Sequence, residues 1–438
     1  MQDRLSYLLL KIIFIFILIF FSLIFEVNTS LIYVSIIFVL GINFTSLLTL
    51  RNIFICYTLL LFVFSRSFFF PNEIDLTYHG IGYFFSFMIG YTINFLVKKK
   101  RIRLKSLEYK GVSFLGLRKI RHVLLFFLTL KLLLTLYSIL SIGVGSYFSG
   151  HSMADTINSY GTESSSSGLE TILGSFTTSS IIAGVALYIR HCIILKVKIN
   201  YYFLSIPFLI IPLISLSRNA FAFGILTLLL IYTFEHGSKF SVKLVFKGLI
   251  VFFALILVVV KIGNLREKKL SGNTSSMSAL TTVYAEFSPI IAYSKIVNNL
   301  ELGRFEYQFG KTIVLPILFK PIPRSFYPSK PGNTTAYYAQ ITDKDSFKSG
   351  FMVPPTLFGD LYLNFGIYFS FLIMMFIGTL FAYLDLKYVI GDKDFMGLYL
   401  IFFNGCYAFL RNNIPEGLMN IVFVLVMYVI LKKLFLKR

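Results

Sequence analysis

Apolar residues run through this chain in long blocks separated by short polar stretches, and those blocks set the expected architecture. A membrane-crossing helix needs about 20 predominantly apolar residues. Runs of that kind fall near 8–25, 31–50, 53–70, 77–97, 122–142, 171–190, 200–216, 219–234, 243–262, 356–385, 395–410 and 417–431. The pattern predicts an all-α polytopic membrane protein of about twelve transmembrane helices, built as a single transmembrane domain over residues 1–438. The run after Arg4 lacks a small-residue cleavage site before Glu26, so it reads as a first span and not as a signal peptide.

Loop charge orients these spans. With the N-terminus in the cytoplasm, the basic segments around Arg51, Lys98 to Arg121, Arg190 to Lys198, Lys239 to Lys247, Lys387 to Lys393 and Lys432 to Arg438 all share the cytoplasmic side. Both termini are then cytoplasmic. Two long segments are left outside. The first, 143–170, holds no Lys or Arg and carries the Ser164 to Ser167 run of a flexible outer loop. The second, 263–355, is basic, which for an outer loop calls for an anionic partner. Within it Tyr284 to Leu300 and Thr312 to Phe319 have the pattern of amphipathic helices.

Composition agrees with a membrane protein. Hydrophobic residues make up 56% of the chain and charged residues 14%, against about 25% in soluble domains. The net charge of +21 reads as loop marking and contact with anionic membrane lipids, not as nucleic-acid binding. Cys56, Cys192 and Cys406 lie in or beside apolar runs without metal-ligand spacing, so neither disulfide, metal site nor cofactor is expected.

Four places carry candidate chemistry. Lys198 and Glu235 bracket 36 residues that must cross twice, and Asp394 and Lys432 bracket 37, although two full spans need about 40. Both turns are therefore pulled inward, Pro207 and Pro212 kinking the first approach, and Arg218 and Arg411 with Glu416 should sit sunken and face one outer cavity. The bland alternative is headgroup snorkelling, or an Arg411–Glu416 ion pair. The third place is Lys320 to Gly332. Its four prolines predict an extended backbone that holds Arg324 and Lys330 at a fixed separation, as a diphosphate would require; a rigid connector with solvated charges is the alternative. Lys320 and Arg304 belong to the same basic loop. The fourth is Gly359-Asp360-Leu361-Tyr362 followed by Asn364-Phe365-Gly366. Here Asp360 and Asn364 share a helix face in an otherwise apolar run, either as a functional site or as a first-turn Asp answering the helix dipole.

The span count, the two outer loops, Ser217-Arg218-Asn219, Pro323-Arg324 with Lys330-Pro331, the Gly359 to Gly366 segment and Arg411 together resemble the bacterial O-antigen or oligosaccharide repeat-unit polymerases (Wzy-type) over nearly the whole chain. The resemblance implies a GT-C-like membrane-embedded glycosyltransferase of the bacterial inner membrane. Its donor and acceptor would both be polyprenyl-pyrophosphate-linked oligosaccharides, joined on the periplasmic side without metal, with a chain-length regulator protein as a candidate partner. On that reading Arg218, Arg324 and Arg411 stabilise the pyrophosphate leaving group, Asp360 serves the acceptor hydroxyl, and Lys330, Arg304, Lys320, Tyr362, Asn364 and Glu416 bind substrate. An O-antigen ligase and a repeat-unit flippase remain the alternative functions.

Overall fold

The computed structural model describes residues 29–42, 46, 48–65, 76–99, 112–142, 166–215, 218–236, 288–319, 322, 327, 329–342 and 353–436. Among these residues every regular element is a helix and none is a strand. In chain order they are α1 (Thr29–Gly41), α2 (Leu50–Leu59, continued by a π turn, Leu60–Phe64), α3 (Thr77–Lys99), α4 (Phe114–Ile142) and α5 (Ser166–Leu195). Then come α6 (Tyr201–Ile214), α7 (Arg218–His236), α8 (Pro289–Glu301), α9 (Lys311–Phe319) and α10 (Thr334–Thr342). The chain ends in α11 (Thr356–Ile390), α12 (Met396–Arg411) and α13 (Ile414–Leu436).

Four of the described helices are long and apolar enough to cross a membrane: Phe114–Tyr137, Leu173–Leu195, Thr356–Ile390 and Ile414–Leu434. The helices of the expected hairpin, Tyr201–Ile214 and Ala220–His236, are shorter apolar ones. Pro207 has no N–H to give the helix ladder, and there α6 widens into a π turn, Ile206–Ile210. The expected spans at 8–25 and 243–262 lie outside the described residues.

The core is the seam between α3 and α11. A Cβ added at Gly90 would stand 1.9 Å from the carbonyl oxygen of Met375, and one at Gly378 would stand 2.1 Å from that of Phe87, so the two backbones touch. Asn94 donates to the Thr379 carbonyl (2.6 Å) and the Thr379 hydroxyl to the Gly90 carbonyl (3.2 Å), the polar cross-links expected where small residues bring apolar helices together.

Polar contacts define two ends of the bundle. At one end the buried Asp385 carboxylate accepts from the backbone N–H groups of Leu50 (2.9 Å) and Arg51 (3.1 Å), and from the hydroxyls of Tyr91 (3.0 Å) and Tyr399 (2.7 Å). It thereby caps α2 and ties α3, α11 and α12 together. Arg190 pairs with Asp394 and Lys387 with Asp392 at the same end, and Lys432 lies near His191. The expected basic segments around Arg51, Arg190, Lys387 and Lys432 are thus collected on one side.

Helix α11 reads as one uninterrupted apolar run in the sequence, but the structure breaks it at Gly366 (φ 67, ψ −179), a conformation essentially restricted to glycine. The break folds the helix back on itself. Tyr83 packs against both Phe358 (4.8 Å between centroids) and Phe371 (5.3 Å), so those rings lie within about 10 Å, whereas thirteen residues of straight helix span about 20 Å. Phe358 also meets Phe54 and Phe62 of α2, inside the bundle. Residues 356–365 (α11a) therefore re-enter beside residues 367–390 (α11b). Carbonyls next to a break need partners in an apolar setting. Those of Leu363 and Asn364 accept from Gln308 and Phe309, each at 3.0 Å.

Candidate functional site

The re-entrant segment carries Asp360 and Asn364 to the end of the bundle opposite Asp385. Both are fully buried. Asp360 Oδ2 accepts the backbone N–H of Ile414, the first residue of α13, while Oδ1 has no hydrogen-bond partner among the described residues. Thr334 lies alongside the carboxylate, and Glu416 belongs to the same first turn of α13 that Asp360 holds through Ile414. Asn364 donates to the Asp360 carbonyl (2.7 Å) and to Thr312 Oγ1 (2.8 Å), and accepts from the Gly310 N–H (3.0 Å). Thr312 in turn meets Thr334 at 2.8 Å.

The turn between α12 and α13 closes this cluster. Asn413 caps α13 by accepting from the Glu416 N–H (2.9 Å) and reaches Thr335 (3.3 Å), while Asn333 caps α10 and donates to Glu416 Oε1 (3.1 Å). Glu416 is partly exposed, unlike Asp360. Arg411 ends α12 with its guanidinium over the Tyr407 ring (6.0 Å). Phe223, five residues after Arg218, stacks on Tyr407 at 4.1 Å, so the ends of α7 and α12 that bear Arg218 and Arg411 lie side by side. The geometry brings Asp360 and Asn364 to the turn that joins Arg411 to Glu416, with the Arg411 guanidinium over Tyr407, and sets the start of α7 beside the end of α12.

Other expected residues stand elsewhere. The side chains of Arg218, Lys320 and Arg324 lie outside the described residues. Arg304 is exposed beyond the end of α8. The Lys330 N–H donates to the Tyr327 carbonyl (3.1 Å) and Lys330 Nζ to the Ile322 carbonyl (3.1 Å). These bonds hold Lys330 beside Ile322 and Tyr327; most of the proline segment expected to be extended lies outside the described residues. The helices expected at Tyr284 to Leu300 and Thr312 to Phe319 appear as α8 and α9, whereas α10 was not anticipated.

Tyr362 belongs to a second group that sequence reasoning missed. Its ring stacks on His79 (5.4 Å, 29°) and meets Tyr293 edge-on (5.9 Å, 85°). His79 Nδ1 and Tyr293 Oη are 2.8 Å apart, and Tyr83 Oη is 3.4 Å from Tyr293 Oη. Burial pushes the Tyr293 phenol well above its ordinary range, so it stays protonated and can donate to His79. A polar His in the first turn of an apolar run was the available signal.

No protein-family model matches the chain, and neither does any curated protein or solved structure.

Proposed function

We propose that this chain is a membrane-embedded glycosyltransferase of the bacterial inner membrane, with about twelve spans and a GT-C-like architecture, that polymerises polyprenyl-pyrophosphate-linked oligosaccharide repeat units on the periplasmic face. The observation that carries the reading is the folded-back α11a, which sets Asp360 and Asn364 against the Arg411–Glu416 turn. This cluster sits at the end opposite the collected basic segments, which the positive-inside rule assigns to the cytoplasm.

Transfer breaks the bond between the donor sugar's anomeric carbon and a phosphate oxygen, and forms one from that carbon to an acceptor hydroxyl. The pyrophosphate keeps the bonding electron pair. Arg411, with Arg218 on the neighbouring helix end, supplies preorganised positive charge where that negative charge grows. The acceptor proton must leave for a base. Asp360, expected in that role, is sealed and already holds the Ile414 N–H. Its enclosure makes it a positioning residue, and the accessible Glu416 is the carboxylate an acceptor hydroxyl can meet.

Sizing the surface glycans of a strain lacking this protein tests the assignment. Core capped with single repeats is the expected result. Uncapped core would indicate a ligase, and lipid-linked repeats trapped inside the cell would indicate a flippase.

A further inference from the structure

We propose that His79, Tyr307, Tyr362 and Glu301 form a glycan-recognition site at the outer mouth of the bundle, distinct from the Asp360–Arg411 cluster. The inference rests on the glycan-handling reading above and names where the sugar is held. Four elements converge here: the first turn of α3, the last residue of α8, the loop leading to α9, and α11a. The Tyr307 ring lies over Gly366, one helical turn from Tyr362, at about 3.5 Å from where a Cβ would stand, and Glu301 ends the helix whose Tyr293 meets the Tyr362 ring.

The polar tips of this group are unused. The Tyr362 ring is buried, and its hydroxyl has no hydrogen-bond partner among the described residues and is not sealed. His79 spends Nδ1 on Tyr293, and its Nε2 has no hydrogen-bond partner among the described residues. Tyr307 is 43% exposed, and the Glu301 carboxylate is exposed as well. The exposed Tyr307 ring, bordered by a carboxylate, an imidazole and the Tyr362 hydroxyl, suits a sugar ring, whose C–H face packs on the aromatic ring while its hydroxyls bond the polar tips.

A lipid tail would satisfy the rings alone and leave the carboxylate and hydroxyls unpaired, a costly arrangement in an apolar medium. Glycan hydroxyls satisfy both. The break at Gly366 gives the site its place, because it bends α11a so that Tyr362 faces His79 while Tyr307 covers the turn.

The test uses the full-length protein in lipid nanodiscs, passed over an immobilised array of oligosaccharides built from hexoses, deoxyhexoses and N-acetylated sugars. Wild type should be retained by a defined subset. Glu301→Gln should lose about tenfold or more in retention, and Tyr362→Phe should lose severalfold, in keeping with loss of a charged and a neutral hydrogen bond. Both variants keep shape and packing. Wild-type retention no greater than that of empty nanodiscs, or equal retention of wild type and both variants, overturns the site. If the aromatic group is only an interfacial belt, the Tyr variant changes nanodisc incorporation and Glu301→Gln changes nothing. Retention that depends on these residues in a protein that makes no polymer keeps this site and removes the polymerase reading. Polymer formed at wild-type rate by both variants does the reverse.

Discussion

Asp360, in the re-entrant segment of α11, holds the backbone N–H that opens α13, through its bond to Ile414. One carboxylate thus fixes the turn that presents Arg411 and Glu416. Asp360→Ala leaves that N–H unpaired in a buried setting and should cost about 1–3 kcal/mol, read as a lower thermal midpoint in detergent. Asp360→Asn keeps an acceptor oxygen, and should retain stability and transfer within about tenfold of wild type. A thousandfold loss of transfer in a stable Asp360→Asn protein would return the role of base to Asp360.

Folding back at Gly366 is open to direct measurement. In a background lacking Cys56, Cys192 and Cys406, cysteines replacing Phe358 and Phe371 should be joined by a thiol reagent spanning about 10 Å, where a straight helix would hold them about 20 Å apart. Gly366→Ala should destabilise the protein by about 1–3 kcal/mol through backbone strain alone, since the space for a methyl is present.

Asp385 is the structural counterpart at the other end. Asp385→Ala strands the Arg51 N–H and the Tyr91 hydroxyl, and leaves the Leu50 N–H only Tyr399 and the Tyr399 hydroxyl only the Leu48 carbonyl, so it should lower stability by about 3 kcal/mol. Protein that still inserts should show transfer per folded molecule near wild type. A selective loss of transfer with unchanged stability would contradict the anchoring role.

The helices were legible because apolar runs and loop charges report them directly: the run at 77–97 became Thr77–Lys99 and that at 395–410 became Met396–Arg411. Phe223 and Tyr407 set the ends of the two hairpins side by side, while the Arg218 side chain of the cavity expected between them lies outside the described residues. The re-entrant fold was hidden, because hydropathy continues unbroken across Gly366 and a lone glycine in a helical run is common. Asp385 sat at the end of an apolar run, where an acid needs no special account. The His79–Tyr293 pair joins residues 214 positions apart, beyond the reach of any local pattern.

Extension of the glycan by purified protein tests the central claim most directly. Full-length protein in nanodiscs, supplied with polyprenyl-pyrophosphate-linked repeat units, should generate a ladder of polymer lengths. Arg411→Ala should lower the rate by about 100-fold or more through lost stabilisation of the leaving group. Glu416→Gln, which can still accept from Asn333, should lower it to a similar degree while leaving the thermal midpoint unchanged. No ladder from wild-type protein, or an undiminished ladder from Arg411→Ala and Glu416→Gln, would contradict the account.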